Sequence, residues 1–427
     1  MNTTSIPINP LYVFLPLILC YLFSVRLRRW SHYKQTHAKF LPRYTSYGPS
    51  SLSITDAQEI IRASMQFDMP SLVYYGTSFA LFKTYGIPTI SKILIKTKEL
   101  GSMECVFRRY VDTELFIYTW LTCPLFPNLT TESDPNHRRT HGNSGKSTGA
   151  EFADDPRANI AIARVNWLHV KYPILNEDFI YTLALFVFEP ERWAKLYGWR
   201  EFSDLEKDAY FIYWYEIGKR MGIKEIPKSR QELADWVEDY ESRVMIPAQS
   251  NHEVANCTYP EQPSWLSTLT CYVLRGFSAF HYWFLLPRTE GVAVNDIELE
   301  KVFDRAKKAA AGECGPNKVA SDTLLRMHPR WYQPQPWYKP RPTSNLGRLL
   351  ERFQVALGLE VGETSEKWGC RGYRLEEMGP ERFERVGHEE TLRAAEKLMG
   401  CPIGGVWARG SEFEGKHPVQ EVKENGE

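Results

Sequence analysis

The chain has 427 residues, with 52 basic and 52 acidic side chains and a formal net charge of zero. That length allows one large domain or about two to four ordinary ones. Hydrophobic residues at 43% and charged residues at 24% exclude a chain disordered by composition, and the neutral balance lacks the basic excess that nucleic-acid binding requires. Aromatic side chains make up 14%, suited equally to an ordinary core and to an apolar ligand pocket. The eight cysteines form no C-x-x-C pair and no zinc-finger spacing with histidine, which fits free thiols in a reducing compartment.

Ile6 to Val25 is an almost unbroken apolar run without a charged side chain. At about 1.5 Å per helical residue it matches a hydrocarbon layer of about 30 Å. A cleaved signal peptide is the competing reading, but no Lys or Arg precedes the run, whereas Arg26, Arg28 and Arg29 follow it at once. That asymmetry predicts a single-pass transmembrane helix with a lumenal N-terminus and a cytosolic body. Residues 1–30 are therefore read as the anchor and 31–54 as a linker. A helical domain follows over 55–403, with a polar insertion at about 127–154, and 404–427 form a polar tail.

Helix start signals dominate the body. Thr55 with Gln58, Ser203 with Glu206, and Ser229 with Glu232 have capping-box spacing. Asn176, before Glu177 and Asp178, reads as another N-cap, and Pro156 suits a first helical position. Asn176 to Trp193 is apolar nearly all round, as in a helix inside a bundle. Asn295 to Ala311 predicts a further helix, and Pro329 to Pro342 an aromatic strap. Hairpin signals are lacking, so the fold class expected is all-α.

Some chemistry-bearing patterns dissolve on inspection. Gly145-Lys146-Ser147 lacks the first glycine of a phosphate loop, where Thr140 stands. Gly76-Thr77-Ser78 lacks the strand-turn-helix setting of a nucleophile elbow. His388 and Glu390, with His417, have a facial-triad spacing but sit near a polar tail.

Two segments combine polar groups with buried helices. Arg109 and Thr113 are four residues apart and share a helix face. His169 projects from a mainly apolar stripe that includes Ile162, Val165 and Asn166. Such a histidine is usually a satisfied core residue, but a dry helical pocket is also where an axial haem ligand sits. Arg109 and Thr113 are either a surface pair or a fixed cation and hydroxyl facing that pocket.

The stretches Phe79 to Ser91, Arg109-Tyr110-Val111-Asp112-Thr113 and Arg164-Val165-Asn166-Trp167-Leu168-His169 resemble the fungal ER-bound oxygenases of the MpaB type. Tyr181 to Phe186, Trp199 to Glu206, Arg371 to Arg374 and Met378 to Phe383 extend the resemblance over about residues 55–390. That family is similar in its catalytic domain to bacterial latex-clearing rubber oxygenases. The resemblance implies a globin-like helical bundle that binds haem b and uses dioxygen to cleave double bonds of an apolar, isoprenoid-bearing substrate at the ER membrane. It implies His169 as the proximal iron ligand, and Arg109 and Thr113 as the distal catalytic pair. Lys83 is a weak candidate for a sixth ligand, and Asn166 departs from the arginine that bacterial relatives often carry. The alternatives are a membrane-tethered lipid- or metabolite-binding protein without chemistry, and a haem enzyme catalysing another oxidation.

Overall fold

The computed structural model describes residues 10–99, 103–127, 129–131, 151–244, 273, 280, 288, 326–330, 335–359, 362–404 and 407. The chain divides into two compact units, residues 1–123 with 162–294, and residues 124–161 with 295–427. The described residues are overwhelmingly helical, as the sequence predicts, with one two-stranded exception.

In the first unit the N-terminal apolar run forms α1, Pro10–Arg28. Among the described residues no helix is long and apolar enough to cross a membrane. The transmembrane expectation is thus not reproduced among the described residues. The apolar side chains of α1 nevertheless face solvent, Phe14, Leu17, Ile18 and Phe23 among them. Val25 and Arg29 are buried where the helix ends.

The stretch read as a linker carries a helix instead, α2, Ser31–Tyr47. It is held by its aromatic and imidazole side chains. His37 is buried, stacks on Tyr33, and bonds the Ser203 hydroxyl at 2.8 Å. Helix α3, Ile54–Arg62, starts two residues before the predicted box: Ser53 caps it, reciprocated by Asp56. Gln58 is therefore released for another task. Its amide donates to the Cys123 carbonyl at 2.7 Å, and Arg62 donates to the Thr122 carbonyl at 2.6 Å. Together they satisfy orphan carbonyls at the end of α6, Met103–Thr122.

Helix α4, Pro70–Thr84, packs closely on α8, Asn176–Tyr197. Gly76 makes this approach possible, since a Cβ there would lie 3.1 Å from the Pro190 Cα. Helix α5 runs Pro88–Thr97, and α7, Arg157–His169, precedes α8. Leu175, not Asn176, is the N-cap residue of α8, because the Asn176 side chain is drawn away: it donates to the Lys224 carbonyl and accepts from the Lys224 amide. The predicted Ser203–Glu206 box opens α9, Asp204–Arg220. Ser229 likewise accepts from the Glu232 amide at the start of α10, Arg230–Val244.

In the second unit two short strands, β1 Leu129–Thr131 and β2 Glu151–Ala153, pair antiparallel at the edges of the polar insertion. Residues 132–150, with the Gly145-Lys146-Ser147 pattern, lie outside the described residues, as do the helix expected at 295–311 and His417. Helix α11, Asn345–Ala356, and helix α12, His388–Met399, belong to this unit. Of the aromatic strap, Trp337 and Tyr338 are buried, with the Tyr338 amide donating to the Trp368 carbonyl. Trp407 is also buried, although it falls in the expected tail, and its indole N–H donates to the Asp154 carbonyl at 3.0 Å. His388 bonds the Glu384 carbonyl, and no metal-holding cluster exists among the described residues.

Candidate active site

His169 closes α7, and its ring lies against Phe179 of α8, with centroids 5.4 Å apart. Its Nδ1 is shielded from solvent and has no hydrogen-bond partner. An unpartnered buried imidazole nitrogen is uncommon, because burial without a partner costs about 1–3 kcal/mol. Burial, and after it the positive charge of Arg109, lowers the His169 pKa to about 4. The ring is therefore neutral at physiological pH, with a lone pair available.

Arg109 lies on α6, partly buried. Its positive charge is felt at His169. Among the described residues Arg109 has no ion-pair partner, so its charge is not shared with a carboxylate. Thr113 follows one turn later. Two other threonines of this helix bond back to the preceding turn, Thr119 to the Leu115 carbonyl and Thr122 to the Tyr118 carbonyl. No such bond occupies Thr113 among the described residues, which leaves its hydroxyl available. The structure gives no direct contact between Thr113 and His169.

Tyr85 is a neighbour the sequence reading did not single out. It ends α4. Burial raises its phenol pKa, and the charge of Arg109 opposes that rise. Phe179 was missed in the same way. Neither position carries a local signal, since only the approach of α4 and α8 to α6 and α7 gives them meaning.

Two further positions are decided by their partners. The Lys83 ammonium lies 3.0 Å from Glu189 and 3.4 Å from Glu241. Glu241 also accepts from the Tyr181 hydroxyl at 2.8 Å. Lys83 is thus a half-buried ion-pair cation, which removes the case for it as a sixth ligand. Asn166 donates to the Arg220 carbonyl at 3.0 Å and so satisfies the C-terminus of α9. Its departure from arginine has a structural use.

The other stretches that carry the resemblance also form buried networks. Arg200 bridges Asp68 at 2.8 Å and Glu206 at 2.7 Å, and Trp199 donates to the Asp68 carbonyl. Thr89 and Tyr240 both donate to Asp178 Oδ1 at 2.8 Å.

Comparison with known proteins follows the same outline. Residues 146–291 match the family described as ER-bound oxygenase mpaB/B′/rubber oxygenase, catalytic domain. The matched stretch contains His169, whereas Arg109 and Thr113 lie before it. The chain is 26% identical to the ER-bound oxygenase mpaB′ of Penicillium brevicompactum over 426 residues, covering 90% of this chain and 92% of that protein. It is 30% identical to the ER-bound oxygenase mpaB of Penicillium roqueforti (strain FM164) over 258 residues, 56% of this chain and 76% of that protein. A similar 30% identity holds against mpaB of Penicillium brevicompactum over 262 residues, 57% and 59% of the respective chains. No solved structure matches. With this breadth of similarity, the chain belongs to the ER-bound oxygenase mpaB/B′/rubber oxygenase family and is an oxidoreductase of that oxygenase class.

Proposed function

We propose that this protein is a haem-dependent oxygenase associated with the ER membrane, acting on an apolar, isoprenoid-bearing small molecule by oxidative cleavage of a double bond. The observation that carries this reading is a neutral imidazole, His169, whose buried nitrogen no protein group claims, under the influence of an unshared arginine charge. A haem iron would take a neutral imidazole nitrogen of this kind of ring, and the helical surroundings supply low-dielectric walls. His169 would hold haem b, and haem supplies the activation of dioxygen that a protein side chain cannot perform.

The chain's own residues do the rest. Arg109 would present positive charge and N–H donors to negative charge developing in the site. Thr113 holds or passes a proton through its uncommitted hydroxyl. Phe179 fixes the tilt of the His169 ring, so the donor does not depend on a second hydrogen bond for its orientation.

Membrane association is supported by the apolar side chains that α1 turns to solvent, and by the basic residues Arg26 and Arg28 in its last turn, which favour a cytosolic body. The relatives' names place those proteins at the ER. An isoprenoid tail partitions into lipid, so attachment raises the local substrate concentration.

The decisive measurement is the absorption spectrum of the purified protein. A Soret band is expected, and His169→Ala should abolish it while the far-ultraviolet circular dichroism stays helical. Full haem retention in that variant overturns the assignment. Absence of haem from the wild-type protein, with retained lipid binding, favours the non-catalytic reading.

A further inference from the structure

The second unit carries an amphipathic helix facing the wrong way for a core. Helix α11 exposes Leu346, Leu349, Leu350, Phe353 and Leu357, each between 55% and 76% accessible. These positions recur at intervals of three and four residues and form one stripe along the helix. The opposite side holds the helix to the protein. Glu351 is buried and accepts from the Thr364 amide at 2.9 Å and from the Thr364 hydroxyl. Ser344 caps the first turn through the Gly347 amide. The apolar stripe is thus turned outward by a built attachment, not by fraying of a chain end.

The charge pattern identifies what covers the stripe. From Lys339 to Leu359 the basic side chains are Lys339, Arg341, Arg348 and Arg352, and the acidic one, Glu351, is turned into the fold. Arg352 reaches Glu363 at 3.4 Å and Arg341 reaches Glu366 at 3.8 Å, both half-exposed pairs that contribute little. Arg348 bonds a carbonyl, that of Pro342, and keeps its full charge. At helical spacing Arg352 borders the leucine stripe, and Arg348 lies beyond it on the polar side of the helix. Leucine and phenylalanine on one face with arginine at its edge is the pattern of a helix lying in the surface plane of an anionic bilayer. A symmetric contact with a second copy would instead set arginine flank against arginine flank.

We infer that α11 is a membrane-surface helix that seats the second unit on an anionic lipid bilayer. This contact depends on neither the haem nor α1, because its residues lie in a different unit and carry their own charge.

The test is hydrogen exchange on the full chain, read peptide by peptide, free and on vesicles of phosphatidylcholine with or without one quarter phosphatidylserine. Amides of α11 are expected to exchange more slowly on the phosphatidylserine vesicles. That slowing should be lost in Leu349→Ser/Phe353→Ser while α8 and α9 exchange as in the wild type. Unchanged exchange of α11 on vesicles overturns the inference. So does slowing that follows protein concentration without vesicles, which would indicate self-association. Slow exchange already present without vesicles, unaffected by lipid, would mean that another segment of the chain covers the stripe. Equal slowing on pure phosphatidylcholine would overturn the role of the arginines. Attachment through α1 alone produces none of the expected pattern, since it leaves α11 peptides unaltered.

Discussion

Thr113 and Arg109 are polar groups kept off duty. Thr113 lacks the back-bond that Thr119 and Thr122 make on the same helix, so Thr113→Val removes no intramolecular hydrogen bond seen in the structure. Stability should change by no more than about 0.5 kcal/mol, as read by urea denaturation. Turnover should fall by about a hundredfold, the effect of deleting one donor aimed at developing charge. Equal turnover of the variant and the parent would remove Thr113 from the chemistry. Lys83 is the contrasting case, a charged group wholly committed to structure. Lys83→Met leaves Glu189 buried with Arg192 alone nearby, at 3.5 Å, and should cost about 3 kcal/mol. The absorption maximum of bound haem should not move; a displaced maximum would restore Lys83 as an iron ligand.

At the level of elements, the junction of α4 with α8 is fixed by one missing methyl group. In Gly76→Ala the new Cβ meets backbone atoms, Pro190 Cα at 3.1 Å and the Glu189 carbonyl at 3.4 Å. Backbone cannot step aside as a side chain does, so about 1–3 kcal/mol should be lost in thermal or chemical denaturation. The cap of α3 gives a pH-dependent counterpart. Burial pushes the Asp56 carboxyl up, but bonds from Ser53 and the ion pair with Arg43 outweigh it, and the net pKa is lowered. A lowered acid stabilises the fold above its unfolded value of 3.8, and that contribution is lost as pH falls through the native value. The stability advantage of the parent over Asp56→Asn should therefore be present at pH 6 and shrink as pH falls below 3.8. A difference constant across that range would refute the linkage.

On the scale of the whole molecule, α1 exposes its apolar side chains up to Leu27, while Val25 and Arg29 are buried at its end. Removing residues 1–24 keeps that buried end and deletes most of the exposed apolar surface. The truncated protein should move from the membrane pellet to the soluble fraction on fractionation at neutral lipid surfaces, with its helical circular dichroism unchanged. Undiminished pelleting would shift attachment elsewhere in the chain.

Much of this was legible in the linear sequence. Apolar periodicity is a local property, so the buried helix from Asn176 and the all-α class follow from it. The capping pair Ser203 with Glu206 follows likewise, because a first turn closes over four residues. His169, Arg109 and Thr113 stand out by residue type and helical spacing, but only the family resemblance gave them roles. What the sequence could not decide was where side chains would spend their hydrogen bonds. Gln58 reads as a capping residue and serves α6; Asn176 reads as a cap and ties down Lys224; Lys83 reads as a free amine and is held by Glu189 and Glu241. Each of those partners lies far away along the chain, and the choice depends on which buried donor or acceptor would otherwise go unsatisfied. The orientation of α11 belongs with them: its amphipathic pattern is written in the residues, but only the burial of Glu351 fixes which face meets solvent.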